Sequence, residues 1–436
     1  MYTLMIAIFV LGYAAIAFEH TIKIDKAASA LITGVVLWAV YILSGADIHD
    51  AEHHLLEHVS EIASILFFLL GAMTIVEVVD AHQGFSVITD RIKTDKSVVL
   101  LWILAWLTFF LSSVLDNLTT AIVMVSLIRK LIKDQQMRWI FGGIVIIAAN
   151  AGGAWSPIGD VTTTMLWIGG FVSTGNLISF IFLPAVAVLL APLIYLSFTL
   201  KGSIESPEVV QHSGHHAVVS SQDKMRALLV GIGGLLFVPI FKTVTHLPPF
   251  MGMMLSLGVL WVVTDLMHRR KNDSVRSELG ILGVIRRIDT PSVLFFLGIL
   301  LAVASLQTAG QLKDLAGGLD SAFDTTTEMG VYLVGGIIGL LSAIIDNVPL
   351  VAAAMGMYDM VPGTFFAQDD FFWKYLAFTA GTGGSVLIIG SAAGVAVMGL
   401  EKIPFGWYLK RISFLALLGY FAGIAVYAIQ RWIIFG

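Results

Sequence analysis

Residues 112–120 read SSVLDNLTT, and residues 342–350 read SAIIDNVPL. Both stretches lie inside long apolar runs, and the first follows LLWILAWLTFFL and precedes AIVMVSLI. Irregular backbone at membrane depth is tolerated only where it is buried in protein or lines a water-filled cavity. The two stretches therefore predict helices that are interrupted inside a membrane protein, with the polar interruptions facing its interior.

The composition is that of a polytopic α-helical membrane protein. The 436 residues are 57% hydrophobic and 13% charged, whereas a soluble domain carries about 25% charged residues. Apolar runs recur that are long enough to cross a hydrocarbon core of about 30 Å. These runs are continuous, unlike the alternating strands of a β-barrel. The absence of cysteine excludes disulfides and thiolate metal sites.

Eight apolar segments fit single membrane spans, and the first has no basic n-region or cleavage site, so we expect it to be retained. The predicted spans are 2–18, 26–44, 60–80, 177–200, 226–242, 248–267, 291–307 and 412–434. Four other regions are interrupted by polar residues or glycine. They are 97–131, 139–172, 330–360 and 372–399.

Three motifs recur in the same order and at nearly the same spacing. The pairs are EIASILFFLLG from Glu61 with DTPSVLFFLGI from Asp289, SSVLDN from Ser112 with SAIIDN from Ser342, and AGGAWSPIGD at 151–160 with TGGSVLIIGS at 382–391. The repetition predicts two homologous halves, residues 1–200 and 226–436. The polar segment 201–225 is predicted to be the cytoplasmic linker between them.

The distribution of Lys and Arg predicts the orientation. If each Asp-Asn region is a re-entrant hairpin, one side of the membrane holds nearly all of the 25 Lys and Arg. The exceptions are Lys242, Lys313, Lys374 and Arg431. The positive-inside rule makes the basic side cytoplasmic and puts both termini in the periplasm. The hairpins then enter from opposite sides, and the two halves are inverted.

The predicted fold class is therefore an all-α polytopic membrane protein with two inverted repeats. Each repeat has five transmembrane helices plus one re-entrant hairpin, at 97–131 and at 330–360. One helix of each repeat is unwound at mid-membrane, at 139–172 and at 372–399. Inverted repeats with broken helices are typical of secondary transporters, whose sites lie where the breaks meet.

The four breaks together predict a site made of oxygen ligands. Its candidate residues are Ser112, Asp116, Asn117, Asn150, Asp160, Thr162, Thr163, Ser342, Asp346, Asn347, Thr382 and Ser385. The breaks contain no Lys, Arg or His. Carboxylate, amide and hydroxyl oxygens are hard ligands that suit an alkali cation such as Na+, whereas three aspartates would repel an anion.

The same carboxylates are suited to carry protons. Burial and neighbouring carboxylates both raise the pKa of a carboxylic acid, whereas a bound cation favours ionisation. Cation and proton then compete, which is sufficient for exchange if the site is exposed to each side in turn. Aspartate is also a common helix N-cap, so Asp116 and Asp346 are compatible with a capping role, a binding role or both. Asp160 has Ser391 as its repeat partner.

The segment 46–61, ADIHDAEHHLLEHVSE, is rich in histidine on the predicted outer side. Three interpretations compete for its region 49–58: a solvated loop, which we favour, a pH-responsive surface, and an adventitious metal site. The metal site would use His58 with His53 or His54. Glu61 begins a predicted span, where a simple interfacial helix charge competes with a functional role.

These motifs resemble the NhaD family of bacterial Na+/H+ antiporters, within the ion transporter superfamily. The resemblance is carried by SSVLDN with NLTTAIVM, NAGGAWSPIGDVTTTMLW, FFLLGAMTIVEVVDAHQGF and SAIIDNVPLVAAAM. It implies exchange of cytoplasmic Na+ or Li+ for external H+ across the bacterial inner membrane, by an elevator-type homodimer, for sodium and pH homeostasis. It also carries functional roles onto Glu61 and the twelve candidates above, with Thr382 at a position where the family often has Ser.

Other functions remain possible from the sequence. A Na+-coupled anion or dicarboxylate carrier of the same superfamily would tend to have Ser-Asn-Thr-like hairpin tips, whereas both tips here carry Asp-Asn. An intramembrane aspartyl protease needs two opposed Asp, often in YD and GxGD contexts. Here residues 157–160 read PIGD, with Pro where Gly belongs, and no YD lies within a predicted span. A passive channel gives no reason for hairpins that close on buried acids.

The predicted mechanism assigns cation binding to Asp116 and Asp346, which take up protons when the cation leaves. The remaining coordination is expected from Asn117, Asn347, Asp160 and Thr162. The expected partners are Na+, Li+, H+ and the lipid bilayer. No cofactor and no nucleic-acid partner is expected.

Overall fold

The computed structural model describes residues 2–89, 92, 94–200, 202, 204, 219–269, 271–272 and 278–435, and these residues form helices without any β-strand. Most of the predicted linker 201–225 lies outside the described residues. Within the described part, nine helices are long and apolar enough to cross a membrane, by length and composition. The protein is therefore an all-α, multi-pass membrane protein.

The helices of the first half follow the predicted order. They are α1 Tyr2–Ala17, α2 Glu19–Ile22, α3 Lys26–Leu43, α4 Ile48–Ala81, α5 Ser86–Thr89, α6 Ser97–Leu115, α7 Asn117–Leu131, α8 Gln135–Ala154, α9 Val161–Ile168 and α10 Thr174–Thr199. The single spans predicted from the sequence correspond to α1, α3, α4 and α10. The two interrupted regions correspond to the pairs α6/α7 and α8/α9.

The second half has the same succession of long and interrupted helices. They are α11 Ser221–Thr245, α12 Pro249–His268, α13 Ile281–Ile285, α14 Thr290–Thr308, α15 Gln311–Phe323, α16 Glu328–Leu341, α17 Asn347–Met357, α18 Phe371–Gly383, α19 Ala392–Glu401, α20 Phe405–Arg411 and α21 Ser413–Phe435. The single spans correspond to α11, α12, α14 and α21. The interrupted regions correspond to α16/α17 and α18/α19.

Helix α4 begins earlier than predicted, and the favoured interpretation of the histidine-rich segment as a solvated loop is wrong. Asp47 caps the helix, because its side chain accepts hydrogen bonds from the backbone N–H groups of His49 and Asp50. The chain is helical from Ile48 onward. Glu61 consequently lies inside α4 instead of at its start, so it is not a helix N-terminal charge. Its repeat partner Asp289 does cap a helix, α14.

The helices pack into two groups. The α3/α14 group consists of α1, α3, α4, α11, α12 and α14, with α3 packed along α14. The break-bearing group consists of α6 to α10, α16, α18, α19 and α21, with α10 packed along α21. Helix α17 touches both groups, through α14 on one side and α9 and α18 on the other. Each group draws helices from both halves of the sequence.

Two glycines allow close helix contacts beside the breaks. A Cβ added at Gly152 of α8 would collide with the carbonyl oxygen of Phe109 in α6. A Cβ added at Gly383 of α18 would collide with the carbonyl oxygen of Gly339 in α16. The close approach of backbones requires glycine at these two positions, and the same contact therefore occurs once in each half.

Candidate functional site

Asp160 is the carboxylate on which both Asp-Asn breaks converge. It caps α9, where its Oδ1 accepts hydrogen bonds from the backbone N–H of Thr162 at 2.9 Å and from the Thr162 hydroxyl at 2.8 Å. Asn117 Nδ2 donates to Asp160 Oδ2 at 2.7 Å. Asn347 Nδ2 lies 3.4 Å from Oδ1 and 3.3 Å from Oδ2. With 2% of its surface exposed, Asp160 is a buried carboxylate that is surrounded by donors.

Asn150 extends this network to the fourth break. Its Oδ1 accepts a hydrogen bond from Asn117 Nδ2 at 3.1 Å. Its own Nδ2 donates to the hydroxyls of Ser385 at 2.9 Å and Ser391 at 3.0 Å. All four breaks thus contribute side chains to one buried polar network, as such groups require when they are removed from water.

Asp116 and Asp346 lie beside the network and cap the helices that follow them. Asp116 accepts hydrogen bonds from the backbone N–H and the hydroxyl of Thr119, both at 2.8 Å. Asp346 accepts one from the backbone N–H of Val348 at 3.2 Å. Both residues are half-buried. Capping uses part of each carboxylate and leaves acceptor capacity for a ligand, because an ionised carboxylate offers about four lone-pair sites.

The predicted hydroxyl ligands divide into two sets. Ser385 belongs to the network around Asn150, and Thr162 binds Asp160 directly. The other hydroxyls donate to backbone carbonyls of helix segments. These bonds are Ser112 to Ala149 at 2.6 Å, Ser342 to Ala380 at 2.7 Å, Thr382 to Phe378 at 2.7 Å, and Thr163 to Asp160 at 2.9 Å. The Ser112 and Ser342 bonds join neighbouring helices, the Thr382 and Thr163 bonds stay within their own helix segments, and none of the four is made to the Asp160 carboxylate.

Glu61 is separate from the network. Its side chain is 73% exposed and lies 3.8 Å from His58 Nδ1. Both residues line a cavity of about 530 Å³ that also touches Met165 of α9, Leu300 of α14 and Met355 of α17. The cavity therefore lies between the α3/α14 group and elements that carry the breaks.

The histidines of α4 do not group as the metal-site interpretation requires. Ligand atoms of His53, His54 and Glu57 lie within 4.8 Å of one another on the exposed surface. His58, which the sequence suggested as the partner of His53 or His54, instead lies 3.2 Å from the Thr308 hydroxyl of α14. The helical periodicity of α4 turns His58 toward the neighbouring helix.

Two residues near the site were missed from the sequence. The Tyr13 hydroxyl of α1 accepts a hydrogen bond from the backbone N–H of Asp346 at 2.9 Å. Lys26, the first residue of α3, lies within electrostatic range of the Asp346 carboxylate, and its Nζ lies 4.7 Å from the Phe295 ring centroid. Neither residue belongs to a polar break or a repeated motif, so no local signal marks them.

Broken helices that meet at a buried, oxygen-rich centre define the class of secondary transporters. The chain belongs to the citrate transporter family, because its residues 13–373 match the sequence model of that family. The protein is therefore a transporter and not an enzyme, which removes the intramembrane protease alternative.

Individual relatives are more specific than the family. The chain is 50% identical to "Sodium/proton antiporter 1" of Arabidopsis thaliana, over 97% of this chain and 71% of that protein. It is 48% identical to "Sodium/proton antiporter 2" of the same plant, over 97% and 98% of the two chains. It is 30% identical to "Na(+)/H(+) antiporter NhaD" of Vibrio cholerae, over 96% and 90%. The resemblance to the NhaD antiporters is confirmed.

Proposed function

We propose that the protein exchanges Na+ for H+ across a membrane and binds both ions at the network centred on Asp160. The observation that carries this proposal is the convergence of Asn117 and Asn347 on the buried Asp160 carboxylate, with Asp116 and Asp346 beside it. None of these three carboxylates forms an ion pair with Lys or Arg among the described residues. A set of oxygen ligands whose carboxylates form no ion pair, with Lys26 only within electrostatic range of Asp346, suits a hard monovalent cation.

The side-chain amides of Asn117 and Asn347 can face the centre of the site in two ways, with their N–H groups or with their oxygens. In the structure their N–H groups donate to Asp160 and stabilise its negative charge. An asparagine side chain also carries a carbonyl oxygen on the same group. We propose that Na+ enters between Asp160 and the two amides, and that both amides turn so that their oxygens face the ion. Thr162 and the carboxylates of Asp116 and Asp346 complete the coordination.

Proton coupling follows from competition for the same oxygens. Na+ binds ionised carboxylates, and a proton on any of them removes charge from the site. As the pH falls, protons occupy the carboxylates and Na+ binding weakens. As the pH rises, the carboxylates ionise and Na+ binding strengthens. We expect the half-saturating Na+ concentration to fall as the pH rises, by up to about tenfold per pH unit for one competing proton. A half-saturating concentration that does not change with pH would contradict a shared site.

We propose that the break-bearing group moves against the α3/α14 group in an elevator-type cycle, and that each half is an inverted repeat with a re-entrant hairpin. The division into two packing groups and the cavity between them support the movement. Equivalent contacts in the two halves, such as Ser112 with Ala149 and Ser342 with Ala380, support the repeat.

The resemblance to the antiporters supports the rest of the proposal. We propose a homodimer that moves Na+ or Li+ outward and H+ inward, for sodium and pH homeostasis. The resemblance to bacterial NhaD antiporters supports a bacterial inner membrane, and the asymmetric distribution of Lys and Arg supports periplasmic termini.

The test is transport by the purified protein in liposomes that contain a pH-sensitive dye. NaCl is added outside, followed in separate runs by LiCl, KCl and choline chloride. We expect proton efflux with Na+ or Li+ and none with choline. The absence of a pH response to every cation would refute the antiporter.

The family description makes one alternative worth testing in the same vesicles. A citrate transporter would take up an anion, so radiolabelled citrate uptake is measured with and without Na+. The three unpaired aspartates of the breaks oppose anion binding, and we expect no uptake.

A further inference from the structure

We propose that Tyr13 is a positioning residue, which holds Asp346 for cation binding by accepting the hydrogen bond of its backbone N–H. This inference rests on the proposed function, because it assigns a role to Tyr13 through a ligand of the proposed cation site. The hydrogen bond joins α1 to the second Asp-Asn break, 2.9 Å between Tyr13 Oη and Asp346 N.

The hydroxyl supplies an acceptor that the broken backbone lacks. The N–H groups of Ala343, Ile344 and Ile345 bond to carbonyls at the end of α16. The next N–H, that of Asp346, is not among these bonds to α16, and within the described residues its acceptor is Tyr13 Oη. A backbone N–H removed from water needs such a partner. Tyr13 therefore defines the direction of the Asp346 backbone where α17 begins.

The second break needs this external support more than the first. In the first break, Thr119 gives Asp116 both a backbone N–H and a hydroxyl. The repeat places Pro349 at the corresponding position of the second break, and proline has no N–H to donate. Asp346 is left with a longer cap to Val348, at 3.2 Å. The carboxylate of Asp116 thus accepts two short hydrogen bonds, whereas that of Asp346 accepts one longer bond. The additional support for Asp346 comes from another helix and reaches its backbone N–H.

The Tyr13 side chain is itself fixed by packing. The Tyr13 ring packs against the Phe9 ring one turn earlier in α1, with centroids 6.1 Å apart. Helix α1 packs along α3, which also brings Lys26 within electrostatic range of Asp346. The Tyr13 hydroxyl is therefore presented by the α3/α14 group to a residue whose helix also contacts the break-bearing group.

The experiment compares Tyr13→Phe with Tyr420→Phe. Each substitution removes one hydroxyl and keeps the ring. The Tyr420 hydroxyl is a matched control, because it donates to the carbonyl of Gly336 in α16 at 3.0 Å, away from Asp346. Both variants and the wild type are reconstituted, and proton efflux is measured against Na+ concentration. A thermal unfolding curve for each protein reports folding.

We expect Tyr13→Phe to raise the half-saturating Na+ concentration by about threefold to tenfold, the range for one lost hydrogen bond, with the maximal rate kept within about twofold. Tyr420→Phe is expected to leave the half-saturating concentration unchanged, even if it lowers the unfolding temperature more. This split between affinity and rate would not arise from a merely structural role.

Three outcomes would overturn the inference, and they are distinguishable. If the wild type exchanges Na+ for H+ and Tyr13→Phe has the same half-saturating concentration, Tyr13 does not position Asp346 and the proposed function stands. If the wild type shows no Na+-driven proton movement, the proposed function fails and this inference fails with it. Equal changes in both variants would also refute the inference, because they would reflect packing.

Discussion

The two Asp-Asn breaks carry the same pair of residues, but the structure holds their aspartates in different ways. Asp116 adopts φ 91° and ψ 156°, and its side chain caps Thr119. Asp346 adopts φ −47° and ψ 137°, and its side chain caps Val348. Pro349 in place of Thr119 removes the N–H that the first cap uses. The difference teaches that a sequence repeat preserves the position of a break, while each half holds its carboxylate by its own means.

The centre of the site is also unequal between the halves. Asn117 and Asn347 both reach Asp160, but at 2.7 Å for Asn117 and at 3.3 Å and 3.4 Å for Asn347. The matching position in the other unwound helix is Ser391, whose hydroxyl accepts a hydrogen bond from Asn150. At these matched positions of the two unwound helices, the first half therefore supplies the central charge of Asp160, and the second half supplies the neutral hydroxyl of Ser391.

The largest effect is expected when this central charge is removed. Asp160→Asn should abolish Na+-driven proton efflux, because the substitution removes the negative charge. It also places an amide N–H group beside the N–H groups of Asn117 and Asn347, which need an acceptor. Ser391→Ala is the matched control at the repeat-equivalent position and should keep measurable exchange. Proton efflux in liposomes measures both variants. Exchange by Asp160→Asn at the wild-type rate would mean that the site lies elsewhere.

The two capping aspartates provide the next test of the comparison. Asp116→Asn and Asp346→Asn should each abolish exchange and leave folding and oligomeric state intact, because asparagine caps a helix about as well as aspartate but carries no charge. Efflux assays measure exchange, and thermal unfolding measures how much each helix cap contributes to stability. Full activity of Asp346→Asn would remove Asp346 from the mechanism. Lost activity together with lost folding would instead identify a structural cap.

Much of the site could be predicted from the sequence, because polar residues inside apolar runs have few alternatives. The breaks at Asp116 and Asp346 and the side chains of Asn150, Asp160 and Ser385 were located on that basis, although their binding roles stay predictions. The inverted orientation of the halves also stays a prediction, since it depends on a bilayer.

Other features could not be predicted, for physical reasons. The start of α4 at Ile48 is set by the Asp47 cap, and the charged and histidine residues around Ala51, Leu55 and Ile62 obscure the helical spacing of these apolar residues. The directions of the Ser112 and Ser342 hydroxyls depend on which helix packs beside them. Tyr13 reaches Asp346 across most of the chain, and an apolar span gives no sign of such a contact.

A smaller, graded effect should separate the two asparagines. Asn117→Ala should weaken Na+ binding more than Asn347→Ala, because the Asn117 amide lies closer to the Asp160 carboxylate, so its oxygen is the closer ligand once the amide turns toward Na+. If a lost amide ligand costs about as much as a hydrogen bond to a charged group, affinity falls roughly tenfold or more, and a more distant ligand costs less. The half-saturating Na+ concentration of each variant measures this. Equal effects, or a larger effect of Asn347→Ala, would contradict the asymmetry of the two halves.

The smallest difference between the halves is expected at the close helix contacts. Gly152→Ala and Gly383→Ala each place a methyl group against a backbone carbonyl, that of Phe109 or of Gly339. Overpacking of this kind costs about 1–3 kcal/mol, so both variants should unfold at similarly lowered temperatures. Gly399→Ala in α19 is the control, because its methyl group would meet no atom within 4 Å. An exposed helical glycine replaced by alanine gains roughly 0.5–1 kcal/mol, so this control should unfold at an equal or higher temperature. A strong loss in only one of the first two variants would show that the matching contacts are not equivalent, and that the asymmetry of the charged groups extends to the backbone.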